Sequence, residues 1–112
     1  MARLKAKEIA ILWKEICSIY DKTRDTTPEK TIVRIIHTVG LEGALETFAA
    51  ITQLKSGDGR IYGKNREEME KIDIDPIALE HSHSNPLSDL DHIHTAHINQ
   101  LITELLKERD KV

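Results

Sequence analysis

The stretch TPEKTIVRIIHTVGLEGALETFAAITQL, residues 27–54, decides the fold. Thr27-Pro28-Glu29 opens a helix: a hydroxyl cap, a proline at the first helical position, then an acid against the positive helix end. Ile32, Ile35, Ile36 and Val39 follow at three- and four-residue spacing, one inward face. Gly40 then supplies the left-handed residue that ends the helix. Leu41, Ala44, Leu45, Phe48, Ala49 and Thr52 resume the same spacing as far as Leu54. This helix is the most apolar in the chain, which places it centrally.

Working outward, Ile9, Leu12, Trp13, Ile16, Ile19 and Tyr20 form a third such face upstream. Fifteen isoleucines against four aromatics would suit strands, but the spacing is helical throughout. Downstream, Ser56-Gly57-Asp58-Gly59-Arg60-Ile61-Tyr62-Gly63 is the clearest break. Asn65 caps a short charged helix through Ile72, helped by a Glu67–Lys71 pair. Asp75-Pro76 begins another short turn, Ile77 to Glu80. Pro86 starts the last helix, running to about Lys107. The expected architecture is all-α: a compact bundle of four main helices, with one or two short helices in the 64–80 connection.

The length of 112 residues fits one domain, 1–112. A single cysteine, Cys17, excludes an intrachain disulfide and a four-cysteine zinc site, and suits a reducing compartment. The basic start, Met1 to Lys7, precedes an apolar run of only Ile9 to Trp13, too short for a signal peptide. No stretch approaches a membrane span. The expected location is cytoplasmic, with no membrane partner. A net charge of −3 gives no large positive field, so nucleic acid is not an expected partner.

Charge is unevenly spread: residues 67–91 hold one base, Lys71, against eight acids. That acidic stretch leads into five of the six histidines: His81, His83, His92, His94 and His97. Imidazole binds zinc, nickel or copper through a neutral nitrogen, and carboxylates complete such shells. On one continuous helix Asp91, His94 and His97 fall at i, i+3 and i+6, with His81 and His83 approaching from the preceding loop. Leu87, Asp91, His94, Ile98, Leu101 and Leu105 form the inward seam of that helix. The bland reading makes these histidines surface residues, with one or two satisfied at helix caps. A paired-carboxylate di-metal bundle is excluded, because the only histidine elsewhere, His37, follows Arg34 rather than an acid at the required spacing.

Other motifs fail on register. Asp58-Gly59-Arg60-Ile61 imitates a calcium loop, but Leu54 and Asn65 occupy its ligand positions. The glycine spacing is not that of a dinucleotide loop. A helix-turn-helix across Thr31–Phe48 would present Glu42 and Glu46 to phosphate. Cys17 has no adjacent base and reads as core. Lys55, Arg60, Lys64 and Arg66 form a basic rim around Tyr62 on the glycine-rich turn, and Arg60, Tyr62, Lys64 and Arg66 make it a candidate partner-contact loop.

The function this leaves in front is a small cytoplasmic helical interaction or accessory protein. It acts by binding a protein partner, a second copy included, rather than as an enzyme. The alternative is a metal-binding (zinc or nickel) or metal-dependent hydrolytic domain built on Asp91, His94, His97, His81 and His83. Clustered histidines also suit a pH-sensing switch. No cofactor is expected beyond such a divalent transition metal.

Overall fold

A computed structural model describes residues 5–55, 63–72 and 92–111. The regular structure among the described residues is all helix. Helix α1 spans Ala6–Thr23, α2 Pro28–Val39, α3 Leu41–Lys55, α4 Gly63–Glu70 and α5 Thr95–Asp110. None of them is long and apolar enough to cross a membrane.

Local chemistry sets the helix ends. The Glu8 carboxylate accepts the Lys5 N–H at 3.2 Å, at the start of α1. The α1–α2 turn is tied by threonines: Thr26 donates its hydroxyl to the Thr23 carbonyl at 2.6 Å. The Thr27 hydroxyl caps α2 by accepting the Lys30 N–H at 3.3 Å. Between the two helices the Thr23 and Thr31 hydroxyls meet at 2.7 Å, both buried. Burying two hydroxyls costs little here, because each is hydrogen-bonded.

Helices α2 and α3 are joined by one residue. Gly40 donates its N–H to the Ile36 carbonyl at 2.9 Å, closing α2, and its own carbonyl accepts the Ala44 N–H at 2.9 Å, opening α3. Its φ of 83° is the positive value the sequence called for, but ψ is 156°, extended rather than left-handed helical. That combination is open essentially to glycine alone.

Helix α3 packs against all four other described helices. Phe48, Ala44, Ala49 and Ile51 on it are fully buried, as are Thr47 and Thr52. Those two hydroxyls donate back to Gly43 and Phe48 carbonyls at 2.7 and 2.8 Å, so the polar atoms are satisfied within the helix. Around α3 the core takes Ile9, Trp13 and Ile16 from α1, Ile32 and Ile35 from α2, Met69 from α4, and Ile98, Leu101, Ile102 and Leu105 from α5. Cys17 is buried among them, as its sequence position implied.

Several expectations need correction. The last described helix begins at Thr95, and His94 before it is extended at φ −59° and ψ 141°. A helix running unbroken through His94 to Lys107 is therefore not formed. The cause is local: the His94 ring accepts the Ala96 N–H through Nδ1 at 3.3 Å, filling one of the donors a helix start leaves open. Asn65 likewise is not a cap. It lies inside α4 and reaches across to α5, 2.7 Å from Asn99 Oδ1 and 2.7 Å from Thr103 Oγ1. The turn expected at residues 75–80 and the start expected at Pro86 lie outside the described residues.

Helix α4 is held to α5 by charge as well. The expected Glu67–Lys71 pair is replaced by Arg66–Glu70 at 3.0 Å and Lys71–Glu68 at 3.4 Å, while Glu68 also meets Arg109 of α5 at 3.2 Å. Hydrogen bonds from Arg109 and then Lys71 hold the Glu68 carboxyl below the usual carboxylate range. A folded pKa below the unfolded one adds stability that is complete above the unfolded value and fades as pH falls through the folded one. Glu68→Gln should therefore melt lower than wild type at neutral pH, by a small margin, since the pair is near the surface. The gap should close well below the usual carboxylate range. A gap that persists unchanged in strong acid would mean that Glu68 acts through packing instead.

Candidate functional site

Among the described residues the exposed large hydrophobics are Ile11, 61% accessible, and Val33, 42% accessible. Scattered apolar residues on a surface are ordinary. What distinguishes Ile11 is its surroundings. It lies at a groove of about 430 Å³ lined by Glu8, Ile11 and Leu12 of α1, Val39 of α2, and Glu42, Gly43 and Glu46 of α3. Leu12 and Val39 are partly buried and give it an apolar floor.

Helical spacing builds this groove. Glu8, Ile11 and Leu12 stand at i, i+3 and i+4 on α1, while Glu42 and Glu46 stand one turn apart on α3. Gly43 lets the two helices approach: a Cβ there would sit 3.3 Å from Leu12 Cδ1 and 3.9 Å from Val39 Cβ. The result is an apolar trough with three carboxylates along it and no cationic side chain among its described lining residues. Such a trough suits an apolar group flanked by positive charge.

A second opening, about 560 Å³, borders the outer face of α2, along Thr27, Glu29, Lys30, Val33, Arg34 and His37. Its described lining residues come from α2 and its cap, Thr27. That face carries Lys30 and Arg34 one turn apart, with Val33 between them and His37 beyond.

His92, His94 and His97 lie at the opposite end of α1. His92 donates through Nε2 to the Asp21 carboxylate at 2.8 and 2.9 Å. The Tyr20 hydroxyl bonds His97 Nδ1, and Arg24 lies 5.6 Å over the Tyr20 ring. The His94 and His97 rings are 6.1 Å apart at 63°. A small cleft of about 80 Å³ lies beside them, bordered by Thr23, Thr31 and Gln100. Among the described residues no group of three or more His, Cys, Asp or Glu side chains could hold a metal ion. Nor is any buried side-chain polar atom left without a partner.

Of the sequence candidates, His94 and His97 are brought together, though His94 is exposed at a cap rather than on an inward seam. Ile98, Leu101 and Leu105 of that seam are buried as expected. His81, His83 and Asp91 lie outside the described residues, as do Arg60 and Tyr62. Lys64 is exposed in the first turn of α4, and Arg66 is engaged with Glu70. The sequence reading missed Ile11 and Val33. Each falls between the positions of its helix's inward stripe, which was the available signal. In comparisons with protein-family models, curated proteins and solved structures, nothing matches this chain.

Proposed function

We propose that this chain acts by binding a protein partner, and that the α1–α3 groove receives an apolar segment of that partner flanked by lysine or arginine. The observation that carries this is Ile11, 61% exposed beside an apolar floor and the carboxylates of Glu8 and Glu42. Leaving such a residue in water forgoes burial worth roughly 1.5–3 kcal/mol for an isoleucine side chain, a gain that a docked partner recovers. Glu8 and Glu42 select the sign of the incoming charge and speed its arrival.

A fluorescent amphipathic helical peptide of leucine and lysine is the probe. Its anisotropy should rise on titration with the protein, and the effect should weaken with added salt as the charges are screened. Ile11→Ser should weaken binding by about tenfold, equivalent to losing about 1.4 kcal/mol. Its melting temperature should match wild type, because Ile11 contributes little to the core. Equal binding by Ile11→Ser, or equal binding of a leucine–glutamate peptide, would remove the groove from the account.

A further inference from the structure

We infer that the first turn of α5 is a proton-operated catch, closed while His94 is neutral and released when His94 and His97 take up protons. The inference stands apart from the α1–α3 groove. It starts from the cap, where the Ala96 N–H donates to His94 Nδ1 at 3.3 Å. A ring nitrogen accepts only when it carries no proton, so this cap requires a neutral imidazole with its proton on Nε2. A protonated ring has an N–H at both nitrogens, and one of them then faces the Ala96 N–H. The cap bond is lost and two donors are left opposed. His94 is exposed, so solvent protons reach it. Thr27 caps α2 with a hydroxyl that does not titrate, whereas an imidazole changes charge between about pH 8 and 5. The start of α5 is thereby conditional on pH.

Charge acts in the same direction. The start of a helix is its positive end, which anions stabilise and cations do not. Glu8 and Glu29 stand in the first turns of α1 and α2, but the first turn of α5 holds no acid. It holds His97, whose ring is 6.1 Å from that of His94 and whose Nδ1 meets the hydroxyl of Tyr20, the ring that Arg24 covers. Protonating both rings sets two cations at a positive helix end. Arg24 of α1 borders the same cleft as His97, and Lys64 of α4 lines a groove with Ala96, so neither neighbour offsets them. Asp21 of α1 is bonded to His92, and Asp25 does not border the cleft. From α2 the cleft takes Pro28 and Thr31, which do not titrate, and Glu42 and Glu46 of α3 lie in the groove toward the other end of α1. A proton on His92 strengthens its bond to Asp21, so the chain stays tethered to α1 while the turn after it opens. Thr95 in that turn and Ile93 just before the cap are both buried, so release uncovers apolar surface.

Thermal melts of the whole chain at about pH 8 and about pH 5.5, followed by helical circular dichroism, test this with two substitutions. His94→Asn keeps a side-chain acceptor at the cap and does not titrate; His94→Ala has no acceptor at either pH. In the alkaline sample the asparagine variant should melt with wild type, and the alanine variant below both. In the acid sample the asparagine variant should melt above wild type, and the alanine variant no lower than wild type. The direction follows from linkage. The unfolded chain takes up a proton that the capped ring excludes, so the cap's contribution is complete in the alkaline sample and fades as pH falls through the imidazole range. The local readout is the Ala96 amide. Its protection against hydrogen exchange, corrected for the intrinsic effect of pH, should fall about tenfold in wild type between the two samples and hold in His94→Asn. The wild-type amide needs no variant, so it decides the matter even where a substitution unsettles the fold. A gap between the asparagine variant and wild type that is the same at both pH values, or Ala96 protection that does not fall, overturns the inference.

Discussion

Phe48→Ala is expected to destabilise the fold by about 3–5 kcal/mol, the range for truncating a buried aromatic side chain. Phe48 is fully buried at the middle of α3, the helix that touches every other described helix. Its ring meets Trp13 edge-on, with centroids 6.0 Å apart and planes at 88°. Truncation removes that contact, the transfer free energy of the ring, and the packing of neighbours around the space left behind. Because domains of this kind are stable by only about 5–15 kcal/mol, the variant should be close to unfolding. Urea melts should show a lower midpoint with an unchanged slope. A loss below about 1 kcal/mol would mean that the core is centred elsewhere.

Gly40→Ala should cost about 1–3 kcal/mol, the strain of placing a side-chain-bearing residue in a region that only glycine populates freely. A Cβ at Gly40 meets nothing within 4 Å, so no clash contributes. The cost arises from φ 83° with ψ 156° at the single residue between α2 and α3. The same melts check it. An unchanged midpoint would show that the α2–α3 junction adopts another backbone geometry at no cost.

The helical layout was legible because periodicity reports burial directly. Ile32, Ile35 and Phe48 lie where a three-four stripe puts them, and all are fully buried. Ends were legible where the chemistry is local: the Thr27 hydroxyl caps α2, and Gly40 ends it at a positive φ, though with an extended ψ rather than the left-handed one expected. His94 was not, for a physical reason. Its place on the stripe with Ile98 and Leu101 fits a continuous helix, but an imidazole can also accept a backbone N–H two residues on and start a helix there. Spacing alone does not choose between these outcomes. The groove was harder still. It needs Glu8 and Glu42 along one groove, and that depends on how α1 meets α3 at Gly43, a tertiary fact with no sequence period. Ile11 itself was readable as an apolar residue off the inward face. Its meaning came only with the carboxylates around it.

The most direct test of partner binding in the α1–α3 groove is a map of amide shift changes, by two-dimensional ¹⁵N–¹H NMR, on adding the leucine–lysine peptide. Gly43 is the best reporter, since glycine amides resonate apart from the rest and it lies between the helices. The account predicts changes concentrated at Ile11, Leu12, Val39, Glu42, Gly43 and Glu46, with Tyr20 and His97 unmoved. Changes centred on Tyr20, His94 and His97 instead, or none at Gly43, would contradict it.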